Sequence, residues 1–140
     1  MRDKKVMDER SVLNVVAGII YNDDRTHILL AKRKPEQHQG GLWEFPGGKI
    51  EASEDQRDAL ARELKEELAI VPGSANFYSD VQHQYADKLV HLWFWKVFDI
   101  QGEPKGCEQQ EWRWWKLRQL RTLEFPKANQ CVVEQLLRVC

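Results

Sequence analysis

The sequence carries almost no net charge. Its 21 Lys and Arg stand against 22 Asp and Glu, leaving −1 across 140 residues. That balance excludes the overall basic field by which a chain neutralises nucleic-acid phosphates, so no stable nucleic-acid complex is expected. Long apolar runs are missing as well. No stretch approaches the roughly 20 residues needed to span a bilayer, so no membrane association is expected. Residues 1–10 are charged and lack the apolar core of an export signal. Cysteine is scarce. Cys107, Cys131 and Cys140 are odd in number and lack metal-ligand spacing, which reads as reduced thiols in a cytoplasmic protein. Repeats and low-complexity segments are also lacking. With 42% hydrophobic residues, the chain can build a real core as a single domain over residues 1–140, with 1–10 as a loose lead-in.

Glycine and proline are missing from residues 54–68, where Ala, Leu, Glu, Lys, Gln and Arg dominate. That composition predicts a helix. Ser53 followed by Gln56 has capping-box spacing, and Glu54 and Asp55 are acidic where the first turn falls. Leu60, Leu64 and Leu68 recur every four residues as an apolar stripe. Beside that stripe, Glu63, Glu66 and Glu67 fall within an arc of about 100°. Seven acidic side chains face three basic ones between positions 51 and 67. Like charges at i,i+4 destabilise a helix by roughly 0.2–0.5 kcal/mol each. A divalent cation reverses that sign. Mg²⁺ favours carboxylate oxygens and keeps several waters, so it bridges a few acids to substrate phosphates. A solvated acidic face is the plainer reading of the same residues.

Along the rest of the chain, residues 12–21 read as a buried strand and 27–33 as its hairpin partner across a turn at 22–25. Lys32, Arg33 and Lys34 then put positive charge at a strand end, which suits a polyphosphate. Residues 35–49 hold four glycines and two prolines and predict a shaped loop with one short extended piece at 42–45. Gly47 and Gly48 allow close backbone approach to a ligand or metal. Val71, Pro72 and Gly73 stop the helix. Strands follow at 77–85, 89–100 and 112–117, and then a turn or short helix. A last amphipathic helix carries Ala128, Cys131 or Val132, Leu136 and Val139 on its apolar side. The six tryptophans are expected to pack the faces of the sheet. The order, β-β-loop-β-α-β-β-β-α, predicts an α/β or α+β sandwich with a mixed sheet between helices.

Gly48, Glu54, and then Arg62-Glu63-Leu64-Lys65-Glu66-Glu67-Leu68-Ala69-Ile70 stand at the spacing G-x5-E-x7-R-E-U-x-E-E-x-G-U, with U aliphatic. The stretch resembles the signature of Nudix hydrolases. One position departs: Ala69 occupies the place of the last glycine. A glycine just past a helix often takes a left-handed conformation, which Ala adopts at a cost of about 1–2 kcal/mol. Trp43 to Glu51, Leu92-Trp93-Phe94-Trp95, Gly102-Glu103-Pro104 and Phe125-Pro126-x-Ala128-Asn129 are similar to the MutT branch of that family. The resemblance runs from about Val12 to the final helix.

The resemblance implies an α/β/α sandwich and a pyrophosphohydrolase that uses Mg²⁺, with Mn²⁺ as a substitute. It converts a nucleoside triphosphate, preferably an oxidised guanine triphosphate such as 8-oxo-dGTP, to monophosphate and pyrophosphate. The implied role is nucleotide-pool sanitation by a cytoplasmic monomer. Glu63, Glu66, Glu67 and Glu108 are implied metal ligands, with the carbonyl of Gly47. Glu63 or Glu108 is the implied base, and Arg62, four residues from Glu66, would hold a carboxylate in position. Arg33, His38, Glu44, Phe45, Pro46 and Lys88 are implied to border the nucleotide, and Asn129 to read the oxidised purine edge. The amide of Asn129 offers donors and an acceptor; a helix N-cap is its other reading. Rival readings are a Nudix enzyme for CTP, dinucleoside polyphosphates or ADP-ribose, and a non-catalytic module that binds oxidised guanine. Retention of all the glutamates counts against the module.

Overall fold

The computed structural model describes residues 11–37 and 40–138. The expectations for residues 1–10, His38, Val139 and Cys140 lie outside the described residues. In order, the elements are β1 (Ser11–Tyr21), β2 (His27–Lys32), β3 (Trp43–Glu44), β4 (Gly47–Lys49), α1 (Gln56–Leu68), β5 (Ser74–Gln84), β6 (Lys88–Phe98), β7 (Trp112–Lys116), a 3₁₀ helix (Leu117–Thr122) and α2 (Lys127–Arg138).

β1 organises the sheet. It runs parallel to β6 from Ser11↔Lys88 to Ile20↔Val97, and β5 pairs antiparallel on the far side of β6. The other edge of β1 is shared. β4 pairs with Val15, Val16 and Ala17, and β2 pairs further on through Ile20↔Leu29 and Tyr21↔Ile28. β2 in turn carries β3 and β7. The predicted β1–β2 hairpin is present. Its turn is locked by the Asn22 carboxamide oxygen, which accepts from the backbone N–H groups of Thr26 and His27 at 2.9 Å each.

Side chains alternate across the pleat, so this sheet has two cores. Val16, Ile20 and Leu29 face α1, where Leu60, Leu64 and Leu68 are buried. Ala17, Ile19, Tyr21, Ile28 and Leu30 face α2 and the 3₁₀ helix, packing with Leu120, Val132 and Leu136. Burying each of the three α1 leucines contributes about 1.5–3 kcal/mol. A mixed sheet with a helix on each side is the α/β/α sandwich the resemblance implied. Of the two candidates on α2, Val132 is buried and Cys131 exposed. The tryptophans pack on the sheet faces as expected. Trp93, Trp95, Trp112 and Trp114 lie against the α1 core and Trp115 against the other.

Two local expectations change. The α1 N-cap is Asp55, whose side chain accepts from the N–H of Asp58 at 2.8 Å. Ser53 cannot fill that role because it sits at φ 68° in the preceding turn, where the N–H of Glu54 bonds the carbonyl of Glu51. Residues 47–49, expected as loop, form β4 because Gly47 lets two backbones meet. A Cβ there would strike the carbonyl of Val16 and Cα of Ala17.

Candidate active site

One face of α1 meets the sheet where β3, β4 and the loop before β7 converge. A cleft of about 410 Å³ opens there, with Arg33, Glu44, Glu63, Glu67, Glu108 and Asn129 on its walls. A smaller cavity of about 170 Å³ adjoins it, sharing Arg33, Glu44 and Asn129 and adding Tyr85 and Lys88. Four carboxylates therefore share one cleft.

Glu67 is the most constrained of them. It is 7% exposed, and its Oε1 is buried without a hydrogen-bond partner among the described residues. Burial pushes its carboxyl up to about 8, reinforced by the charges of Glu44, Glu108 and Glu63, while the backbone N–H of Gly47 pulls the other way. Burial also raises Glu63, opposed by Arg62, and Glu44, opposed by Arg33 and Gln110. Glu44 ion-pairs with Arg33 at 2.8 Å.

Arg62 gathers the approach to α1. Its Nε and Nη2 grip both oxygens of Glu54, at 2.7 and 2.9 Å. Nη2 also donates to the carbonyl of Lys49 at 2.9 Å, and Nη1 reaches Glu63 at 3.1 Å and Glu66 at 3.4 Å. The bonds from Arg62 and from the backbone N–H of Glu51 hold the Glu54 carboxyl down at about 2, and Glu54 holds the Arg62 guanidinium above its usual range. The expected contact with Glu66 exists, but Glu54 is the stronger partner. Sequence spacing across a turn between 51 and 56 gave no means of finding it.

Gly48 fits against Glu63, whose carboxylate occupies the space a Cβ would take. The expected close approach at the two glycines is thus to β1 and to Glu63. The loop carrying Glu108 is stitched to the end of α1, with the Lys105 N–H on the Leu68 carbonyl at 2.9 Å and the Cys107 N–H on the Glu67 carbonyl at 3.0 Å. Those carbonyls lack partners within the helix, so the loop completes its C-terminus.

Of the residues singled out from sequence, Arg33, Glu44, Phe45, Gly47, Glu63, Glu67, Glu108 and Asn129 border the main cleft, and Lys88 the smaller cavity. Three stand off. Glu66, with its side chain 52% exposed, leans on Arg62, and neither borders the two cavities. Pro46 is buried with its carbonyl on the Gly18 N–H at 2.8 Å, and it borders neither cavity. Asn129 is the third residue of α2 and buried, so it is not the N-cap. Gln110, Lys34 and Lys49 join the wall. Gln110 had no sequence signal, because its side-chain partner, the Lys32 carbonyl, comes from β2.

As placed, no group of three His, Cys, Asp or Glu side chains among the described residues is close enough to hold a metal ion. Arg62 Nη1 engages both Glu63 and Glu66. The donor chemistry nonetheless fits a hard divalent cation: the wall offers carboxylate oxygens, and one of them is buried and unpartnered.

The chain is an α/β/α sandwich with four carboxylates on the wall of one cleft. A model of the NUDIX domain matches residues 16–135; the chain belongs to that family and is a Nudix hydrolase of MutT type. It is 37% identical over 127 residues to 8-oxo-dGTP diphosphatase of Escherichia coli K12, covering 91% of this chain and 98% of that one. It is 39% identical over 117 residues to CTP pyrophosphohydrolase of the same organism, covering 84% of each. A solved structure of MutT, from work on Aliivibrio salmonicida and Vibrio cholerae, superposes with a TM-score of 0.82. It is 35% identical, with 93% of this chain and 100% of that one covered.

Proposed function

We propose that this chain hydrolyses 8-oxo-dGTP, or a closely related oxidised purine nucleotide, to the monophosphate and pyrophosphate. The reaction would serve nucleotide-pool sanitation, in the cytoplasm and as a monomer. The observation that carries the reading is the buried, unpartnered oxygen of Glu67 in a four-carboxylate cleft that runs on to Asn129. The E. coli 8-oxo-dGTP diphosphatase supports the choice of substrate, being matched over 98% of its length.

Glu63, Glu66, Glu67 and Glu108, with the carbonyl of Gly47, would hold Mg²⁺ or Mn²⁺. When bound, such a cation neutralises phosphate oxygens and makes water a better nucleophile. The protein's own groups do the rest. Arg62 positions Glu63 and Glu66 while Glu54 and the Lys49 carbonyl fix its guanidinium. Lys34 and Lys49 on the cleft wall offset phosphate charge. Glu63 or Glu108 accepts the proton of the attacking water, aimed at the β phosphorus. Arg33, Glu44 and Phe45 border the nucleotide, Lys88 stands at the smaller cavity, and the Asn129 amide reads the purine edge with both donor and acceptor.

CTP is the second reading, favoured by the 39% identity to a CTP pyrophosphohydrolase. A hydrolysis screen of 8-oxo-dGTP, dGTP, CTP and ADP-ribose, with Mg²⁺ and with a chelator, tests both. The expected result is highest kcat/KM for 8-oxo-dGTP and none with chelator. Preference for CTP would replace the substrate; preference for ADP-ribose would overturn the MutT-type assignment of the pocket.

A further inference from the structure

We infer that Lys34 is the residue by which this chain tells a nucleoside triphosphate from a diphosphate, through contact with the terminal phosphate. The inference rests on the function proposed above.

The sequence puts three consecutive cations, Lys32, Arg33 and Lys34, where β2 ends. The structure gives each a different surrounding. Lys32 Nζ lies over the Trp43 ring, 5.6 Å from its centroid, and Lys32 borders neither cavity. Arg33 pairs with Glu44 at 2.8 Å and lines both cavities. Lys34 lines only the main cleft. Among the described residues its ammonium has no ion pair, hydrogen bond or aromatic partner.

The backbone that presents this ammonium is held. Residues 34–37 form a β-turn, in which the Gln37 N–H donates to the Lys34 carbonyl at 3.0 Å. The side-chain oxygen of Gln37 accepts in return from the Lys34 N–H at 2.9 Å. Pro35 stands at the second position, where its fixed φ suits the turn. Gly40 packs on the carbonyls of Lys34 and Pro35 and leaves no room for a Cβ. Arg33 is tied across to Leu42 and Gly41 by backbone bonds of 2.8 and 2.9 Å. Lys34 is therefore offered from an ordered point on the wall, which limits the freedom lost when it meets an anion.

The two cavities divide the substrate. Asn129 and Arg33 line both, while Glu63, Glu67, Lys34 and Lys49 line only the main cleft. A nucleotide whose base is read at Asn129 runs its phosphates towards those carboxylates. Lys49 stands close to them: it follows Gly48, which packs on Glu63, and its carbonyl receives Arg62. Lys34 pairs with none of them. Its ammonium is the uncommitted cation for a phosphate beyond those held at Glu63 and Glu67. A diphosphate has no such group and gains nothing from it.

The test measures kcat/KM for 8-oxo-dGTP and 8-oxo-dGDP in the wild type, Lys34→Gln, Lys34→Arg and Lys32→Gln. One hydrogen bond between charged groups is worth about tenfold or more. Lys34→Gln should lower kcat/KM about tenfold for the triphosphate, mainly through KM, and leave the diphosphate unchanged, at unchanged thermal midpoint. Lys34→Arg keeps the charge and most of the preference. Lys32→Gln removes the same charge two residues away and keeps all of it. Affinity for inorganic pyrophosphate in Mg²⁺ buffer, measured by calorimetry, needs no turnover and should fall about tenfold in Lys34→Gln but not in Lys32→Gln. Equal losses on both nucleotides in Lys34→Gln overturn the proposal, as do wild-type values on both or an equal shift in Lys32→Gln. In a protein whose wild type hydrolyses no nucleotide, weaker pyrophosphate binding in Lys34→Gln alone would sink the function proposed above and leave the role of Lys34 standing; unchanged binding there overturns both.

Discussion

At the scale of single residues, Glu67 concentrates the conflict between stability and function. Its folded carboxyl titrates at about 8, above the ordinary glutamate value near 4.3 that the unfolded chain keeps. The folded state therefore holds its proton to higher pH than the unfolded state does. With metal excluded, stability should fall as pH rises from about 5 to about 8, by an amount on the order of a few kcal/mol. Glu67→Gln removes that slope and should be the more stable protein at pH 8, measured by urea denaturation at pH 5 and 8 with chelator present. The same variant should lose nucleotide turnover by about 10³-fold or more, because the carboxylate assigned to the cation is gone. An equal pH slope in the variant would move the strain to another carboxylate. Ala69 is the simpler case. It takes the left-handed conformation at φ 59° and ψ 35°, so the chain keeps the helix exit of the glycine pattern and bears the Cβ strain. Ala69→Gly should raise stability by about 1 kcal/mol, read from the denaturation midpoint, with kcat unchanged.

At the scale of elements, α1 serves two sides at once. Its leucines anchor it to the sheet while Glu63 and Glu67 face the cleft, so the core fixes where those two carboxylates stand. β4 supplies the opposing wall, and its glycines are spaces already claimed by neighbours. Gly47→Ala drives a Cβ into the backbone of β1 and should cost about 3 kcal/mol. Gly48→Ala drives one into the Glu63 carboxylate. It should lower kcat more than it lowers stability, since a side chain yields more readily than a strand. Comparing kcat and unfolding free energy for the two variants checks the contrast; equal stability losses would mean that β4 moves as a unit. Arg62 completes the arrangement. Removing it frees Glu54 and loosens the turn from 49 to 54 along with Glu63 and Glu66.

At the scale of the whole molecule, the cleft lies between the glutamate face of α1, β4 and residues of the core on the α2 side of the sheet. Among the described residues no helix is long and apolar enough to cross a membrane. Four of the 22 acidic side chains share that cleft, so a divalent cation should act as a folding ligand. It stabilises by mass action, about 2.7 kcal/mol at a hundred times its dissociation constant. The thermal midpoint should therefore rise with Mg²⁺ and rise further at pH 8 than at pH 5, because proton and cation compete for Glu67. Scanning fluorimetry across both conditions measures it; a shift independent of pH would separate cation binding from Glu67.

The sequence by itself determined the helix carrying the glutamates, the strand order apart from β4, the two-sided burial and the family signature. These are local: periods of 3.6 and 2, breaker residues and fixed spacings can be read along the chain. The resemblance assigned Glu44, Glu63, Glu67 and Glu108 to one site, and the tertiary structure decided how they share a wall. Glu44, Glu63, Glu67 and Glu108 come from three separate stretches, and their proximity is a property of the sheet and the loop. It also decided that Arg62 grips Glu54 first, that Gly47 and Gly48 make room for β1 and Glu63, and that Pro46 and Glu66 stand off the cleft. Each of these depends on a contact between segments distant in sequence or bent through an irregular turn, where spacing carries no directional information.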